Sequence, residues 1–220
     1  MGLFGNAIPF PSVMTRILLI RHGNTDLLGR VLYGRMPGIH LNSEGLRQAE
    51  QLAAVLNSRY RINGIVSSPL DRAVQTAQPI AAVRNLTIEI DEGITEIDSG
   101  SWMGKSFEEL NGLAEWKQYN QYRATCRAPG GESIMQVQAR AWQAIERMIK
   151  CFPSSTESTI AVVSHGDVVR GLLLLLLGMP IDYIHRIEIA PASLSEILLG
   201  PQGPVVSKMN EFFYRFGHER

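Results

Sequence analysis

Cysteine is scarce, with only Cys126 and Cys151 in 220 residues. Two cysteines without metal-type spacing exclude a disulfide framework or a thiolate metal centre, and they fit ordinary thiols in a reducing cytoplasm. A charge imbalance is missing too. Lys and Arg together number 21, and so do Asp and Glu. A nucleic-acid binder or a polybasic membrane-surface protein needs a basic excess, so neither partner is expected. The sum says nothing of placement, and a local basic pocket stays open. No apolar run is long enough to span a bilayer. The greasiest segment, 168–177, holds six consecutive leucines, is interrupted by Arg170 and Gly171, and reads as a fully buried helix. Residues 1–13 lack a charged start before their apolar residues and so do not read as a signal peptide; a flexible arm is expected there. Internal repeats and low-complexity linkers are absent.

What the chain does contain is a rhythm of short aliphatic runs and helical patterns. Residues 16–20, 64–67, 86–90 and 159–163 read as buried strands. Between them, Ser43 is a candidate N-cap for a helix over 43–57, Pro69 opens a second helix, and 132–150 forms a long third one. Segments 184–189 and 193–199 read as a closing strand pair. Alternation of this kind predicts an α/β fold, a three-layer α/β/α sandwich with a mostly parallel central sheet. A helical flap, about 99–130, is inserted after the third strand. One domain is expected over 14–212, with a tail at 213–220. The hydrophobic share of 45% is enough for a substantial core.

Two strands deliver chemistry at their ends. Arg21-His22-Gly23 follows the run 17–20, and Ser164-His165-Gly166 follows the run 160–163. Strand exits are the ordinary ligand position in an open α/β sheet. Arginine offers a planar fork of donors that matches phosphate oxygens. Neutral imidazole is a competent nucleophile near neutral pH. In Ser67-Ser68-Pro69-Leu70-Asp71-Arg72, an arginine sits in the first turn of a helix, where the dipole disfavours a cation unless an anion is near. His165, if protonated, could stabilise an oxyanion. Glu96 is a candidate proton donor whose pKa a neighbouring Trp102 would raise by shielding it; Asp98 competes for that role.

These residues resemble the histidine phosphatase superfamily, in its phosphoglycerate mutase-like branch. Arg21-His22-Gly23-Asn24-Thr25 resembles the Arg-His-Gly-Glu-Thr signature of that family. Gly34-Arg35 to Pro37-Gly38, Ser67 to Arg72, Glu96 to Gly104, Pro129 to Ser133 and Val163 to Gly166 continue the pattern in order. The resemblance implies that His22 takes the phosphoryl group, that Arg21, Arg72 and His165 bind its oxygens, and that Glu96 serves as acid and then base. It adds Asn24, Thr25, Arg35 and Gly166 as substrate contacts, and it implies no metal and no organic cofactor. Asn24 replaces the signature glutamate. Leu28 stands where many members carry an asparagine, a donor that Thr25, Arg30 or Arg35 would have to supply. The implied activity is a phosphatase acting on a small phosphorylated metabolite. A cofactor-dependent phosphoglycerate mutase and a catalytically inactive binding module are the alternatives. Arg30, Arg35, Lys105, Arg123 and Arg127 are candidates to read the leaving group's charge. A second copy of the chain is a candidate partner through the C-terminal strands.

Overall fold

The computed structural model describes residues 14–152 and 157–213. The expected arm over 1–13 and nearly all of the expected tail lie outside the described residues.

Strand β1 (Thr15–Arg21) runs through the centre of a six-stranded sheet, and its residues Ile17 to Ile20 are at most 1% exposed. A run that is apolar at every position suits a strand covered on both faces. Strand β4 (Ser158–Ser164) lies parallel to β1, β2 (Gly64–Ser67) parallel to β4, and β3 (Ile88–Ile90) parallel to β2. On the other side of β1, β5 (Leu194–Gly200) is antiparallel, and β6 (Gly203–Glu211) pairs antiparallel with β5. The resulting order is β3-β2-β4-β1-β5-β6.

Side-chain alternation splits the core in two. Ile17, Leu19, Ile160 and Val162 face helices α5 (Ile134–Cys151) and α6 (Gly166–Leu176). Leu18, Ile20, Ala161 and Val163 face α1 (Ser43–Arg59) and α2 (Asp71–Ala82). One-residue steps along a pleated strand change faces, so a single run supplies both layers. The flap contributes 3-10 turns, α3 (Phe107–Asn111) and α4 (Ala114–Gln121). It has a core of its own, where Trp102, Leu110, Trp116 and Tyr119 pack together. A bridge between Val31 and Ser106 fastens it to the segment after β1.

Four local readings need correction. Asn42, not Ser43, caps α1, its side chain accepting the Gly45 N–H at 2.9 Å. Pro69 precedes α2 instead of opening it; the Ser68 hydroxyl accepts the Leu70 N–H and holds Pro69 in the turn. Residues Ile181–Arg186 form a 3-10 helix, and the partner of β5 is the edge strand β6. Polar and charged residues interrupt the apolar positions of β6, as edge strands require, and this hides it from a search for apolar runs. The leucine run is not wholly buried, since Leu175 and Leu177 are each 45% exposed at the end of α6.

Candidate active site

The parallel strands end together. Arg21 of β1 lies opposite Ser164 of β4, and Ser67 of β2 opposite Val163. The segments leaving these three strands therefore meet at one edge of the sheet, where the site is built.

After Arg21 the backbone passes unusually close to α1. A Cβ on Gly23 would lie 2.7 Å from the Gly45 carbonyl oxygen, and one on Gly45 would lie 2.1 Å from that of Asn24. Only two glycines permit this approach. The Gly23 N–H donates to Thr76 Oγ1 at 3.0 Å, and the Asn24 N–H to Gln48 Oε1 at 2.9 Å. The segment carrying His22 is thus clamped to both helices of that layer.

His22 is 2% exposed. Its Nδ1 lies 2.7 Å from the Gly23 carbonyl oxygen, which can only accept, so Nδ1 carries the proton. Nε2 keeps its lone pair and accepts from Arg72 Nε at 3.3 Å. Burial, then Arg72 and Arg21, hold the imidazole well below its ordinary pKa, so it is neutral at neutral pH.

Arg72 is fully buried in the first turn of α2. Nη2 donates to the Gly34 carbonyl at 2.6 Å, the guanidinium lies 4.8 Å from the Tyr33 ring centre, and Nη1 has no partner among the described residues. Arg21 donates from Nη1 to the Ile189 carbonyl at 2.5 Å, leaving its buried Nε without a partner among the described residues. His165 is fully buried, with its ring centre 5.2 Å from that of His22. Its Nε2 lies 2.7 Å from Ser68 Oγ, and its Nδ1 has no partner among the described residues. Buried polar atoms are nearly always satisfied, so three orphans around one imidazole mark a place for a ligand's acceptors. The reading of His165 as a cation is corrected for the free site: burial, then Arg72, His22 and Arg21, push its pKa well below the usual value.

Glu96 lies on the segment after β3 and faces the same cavity. Its Oε1 accepts the Ile97 N–H at 2.9 Å. Burial first, and the Asp167 carboxylate second, raise its pKa to about 6. Trp102 is not the shield, because it lies inside the flap core, 5.4 Å from Trp116 between ring centres. Asp98 turns away to accept the Gly100 N–H at 2.8 Å, and the cavity's other carboxylate, Asp167, is paired with Arg170 and Arg123, which leaves Glu96 as the candidate proton donor. Behind Glu96 stands a frame. Its carbonyl accepts from Arg35 Nε (2.7 Å) and Arg140 Nη2 (3.2 Å), and both arginines bind Glu132. Arg35, expected among the substrate contacts, is committed to this frame and does not line the cavity.

Asn24 and Thr25 also stand outside the lining. The Asn24 side chain accepts the Thr25 N–H at 2.9 Å, and Thr25 Oγ1 lies 3.4 Å from the Tyr33 hydroxyl. Gly166 does line the cavity, and the Arg21 guanidinium carbon is 3.5 Å from where its Cβ would be. Leu28 lines the cavity without offering a donor. Arg30, Lys105 and Arg127 do not line it, whereas Arg123 does. Sequence reasoning missed Tyr33, Asn120, Asp167, Arg170 and His185. The spacing of Asp167 and Arg170, one helical turn apart and just after His165, was an available signal; they pair at 3.1 Å. Tyr33, Asn120 and His185 come from loops and the flap and carry no pattern. No group of three or more His, Cys, Asp or Glu side chains among the described residues could hold a metal ion. No helix among them is long and apolar enough to cross a membrane.

The whole arrangement lies within a stretch that matches a single family model, the histidine phosphatase superfamily (branch 1), over residues 17–211. The chain belongs to the histidine phosphatase superfamily. It is 34% identical over 186 residues to a bifunctional protein of Mycobacterium tuberculosis, covering 82% of this chain and 49% of that one. The chain thus spans about half the length of that relative. It is 30% identical over 199 residues to phosphoserine phosphatase 1 of Hydrogenobacter thermophilus, covering 90% of this chain and 92% of that one. Among solved structures, it resembles phosphoserine phosphatase from Entamoeba histolytica in complex with 3-phosphoglyceric acid. That likeness has 32% identity and a TM-score of 0.76, covering 90% of this chain and 97% of that one.

Proposed function

We propose that this chain is a phosphomonoesterase that hydrolyses a small phosphorylated metabolite through a phosphohistidine at His22. The observation that carries the reading is the fixed tautomer of His22. Its proton is held by the Gly23 carbonyl, its Nε2 accepts from Arg72, and Arg21 and Glu96, an acid whose pKa is raised to about 6, line the same cavity.

The lone pair of Nε2 attacks phosphorus as the bond to the leaving oxygen breaks, and protonated Glu96 gives its proton to that oxygen. The unpaired donors of Arg21 and Arg72 receive the equatorial oxygens, where charge spreads during transfer. His165 completes this ring. A bound dianion would oppose the cations that keep its imidazole neutral. Glu96, now a carboxylate, takes a proton from water; the water oxygen attacks phosphorus, the P–N bond breaks, and inorganic phosphate leaves. Gly166 opens α6, whose N-terminus favours an anion. The scheme needs no metal or organic cofactor.

The cavity, at about 210 Å³, is smaller than the roughly 300–1,000 Å³ of drug-sized ligand sites, which favours a small metabolite. The segment 99–130 would act as a flap over the leaving group. The two free thiols, Cys126 and Cys151, fit a cytoplasmic location.

His22→Ala should abolish turnover of an aryl phosphate and remove the acid-labile phosphate that the native chain acquires. Hydrolysis near the native rate in that variant would refute the nucleophile. Supplying 3-phosphoglycerate separates the phosphatase from a mutase: inorganic phosphate is expected, and isomerisation to 2-phosphoglycerate would favour the mutase.

A further inference from the structure

Away from His22, the cavity continues along a second line of charge. Arg170 Nη1 lies 3.4 Å from the position a Gly166 Cβ would take, on the same glycine that Arg21 covers. Asp167 then joins Arg170 at 3.1 Å to Arg123 at 3.6 Å. Arg123 comes from the loop after α4. It is 4% exposed, its guanidinium carbon lies 3.9 Å from the centre of the Tyr119 ring, and its Nε has no partner among the described residues.

The neighbours of Arg123 bring it little negative charge. Its Nη1 donates to the Tyr119 hydroxyl, a neutral acceptor whose pKa burial pushes up to about 12. Asn120 Nδ2 donates to the Trp116 carbonyl at 2.9 Å, which turns Oδ1 toward His185 Nε2 (3.1 Å) and Arg123 Nη2 (3.4 Å). His185 is held below its usual pKa, by burial first and by Arg123 next, so it adds no charge. Among the described residues the only carboxylate paired with Arg123, Asp167, is shared with Arg170. Burying a guanidinium with an idle N–H and half a counter-ion is expensive unless a ligand completes it.

Counting charge gives the same answer. Three guanidinium groups (Arg21, Arg123 and Arg170) line this cavity and a fourth, Arg72, touches it through His22, against Asp167 alone when Glu96 is protonated for catalysis. A phosphoryl dianion offsets two of the three charges left over. One positive charge remains, and the least satisfied cation distant from His22 is Arg123. The same cavity is also lined by apolar Leu28, Leu32, Phe107 and Trp116, suited to a short carbon chain.

We propose that Arg123 is a specificity residue that binds a second, singly charged anionic group, a carboxylate, on the alcohol portion of the phosphate ester. The assignment rests on the phosphomonoesterase reading above. It gives the substrate class as short-chain phosphorylated hydroxy acids. A second phosphate is disfavoured because it would bring more charge than the single cation left over.

The test uses two esters that differ in one charge, 3-phosphooxypropanoate and 3-phosphooxypropanamide, with an aryl phosphate as reference. The native protein should favour the acid in kcat/KM by about ten- to a hundredfold, the effect of one charge-assisted hydrogen bond. Arg123→Gln should collapse that ratio to about threefold or less, and Arg123→Lys should retain an intermediate ratio by keeping the charge without the fork. The ratio is internal to each protein, so a general loss of activity does not mimic the effect. If the Gln variant does not fold, the native ratio and the Lys variant still decide. A native ratio near one, with all three esters hydrolysed, would overturn this proposal and leave the phosphatase standing. Preference for 1,3-propanediol bisphosphate over the acid would overturn the single-charge assignment. An undiminished ratio in Arg123→Gln would overturn the residue. If no ester is hydrolysed, the aryl phosphate included, the phosphatase reading itself falls.

Discussion

Asp167→Asn tests the electrostatics of the acid. Burial is the largest single influence on Asp167 and opposes its charge, but Arg123, Arg170, His185 and the hydrogen bond from Arg170 together outweigh it, so its pKa stays below the ordinary value. Its fixed negative charge is the second influence, after burial, that lifts Glu96 to about 6. Replacing the carboxylate with an amide removes that influence and leaves the two arginines uncompensated. Both changes favour ionised Glu96, so its pKa must fall. Two charges on facing walls of a small cavity, on the order of 10 Å apart, interact by about 1.7 kcal/mol at an effective dielectric near 20. That would take Glu96 to about 5, since one pKa step is about 1.4 kcal/mol.

The consequence is a pH-dependent loss of rate. At pH 7 an acid titrating near 6 is protonated in about one molecule in eleven, and one titrating near 5 in about one in a hundred. For an alkyl phosphate that needs a proton on its leaving oxygen, kcat/KM at pH 7 should drop about ninefold. Below about pH 4.5 the two proteins should converge. The substrate's own phosphate ionisation is common to both and cancels from the ratio of their profiles. An aryl phosphate, whose leaving group needs little protonation, should show a smaller pH-dependent difference. A constant ratio from pH 4.5 to 8 would mean that Asp167 acts only through structure, and the electrostatic reasoning would be wrong.

Glu96→Gln should slow alkyl esters far more than aryl esters, and equal losses would assign the proton to another group. The same variant should be more stable than the native protein at pH 7. Glu96's folded pKa lies above its ordinary value, so stability is greatest below about pH 4.5 and declines as pH rises through 6. Removing the ionisation should return about 1–2 kcal/mol, read as a higher Tm at pH 7 but not at pH 4.5. Gly45→Ala should cost about 1–3 kcal/mol in denaturant unfolding and lower kcat as well, because its methyl would displace the Asn24 carbonyl and the His22 segment behind it. Normal stability in that variant would show that α1 yields. Arg35→Ala should reduce kcat on alkyl esters while KM changes little, since Arg35 holds the Glu96 backbone and does not line the cavity; a rise in KM alone would make it a substrate contact.

Legibility in the sequence followed the range of the interactions. Strands β1, β2 and β4 were readable because burial on both faces demands an unbroken apolar run, which all three carry, whereas the edge strand β3 is exposed at Glu89 and Ile90. Strand β6 was not, because an edge strand answers to solvent at alternate positions. Helix caps were displaced by one or two residues for a similar reason. Asn42 and Ser43 are both good capping types, and only the approach of Gly45 to Asn24 decides between them. The closing pair was mislocated because residues 184–189 are apolar enough for a strand, yet they pack Ile184 and Ile187 against the core from a 3-10 turn and the segment after it.

The same division runs through the site, and it has a physical origin. The phosphoryl end is made of side chains at a strand's last residue, one residue beyond a strand end, or in the first turn of a helix: Arg21, His22 and His165, and Arg72. Local pattern fixes those positions, so their convergence follows from strand order alone. The leaving-group end depends on packing between distant segments. Arg123 meets Asp167 only because the flap core orients α4 and because the turn at 181–186 brings His185 beneath it. Nothing in the residues around Arg123 predicts that contact, and a surface arginine would have looked the same. Phosphate carries the same oxygens in every ester, so strand ends can hold its ligands in one geometry. The alcohol differs between esters, and its contacts can change with flap packing while His22 and its partners stay in place. If Arg123 reads a carboxylate, exchanging the flap segment 107–123 should move substrate preference without moving the pH dependence set by Glu96 and Asp167, whereas a shift in both would mean the two ends are coupled through the Asp167–Arg123 pair.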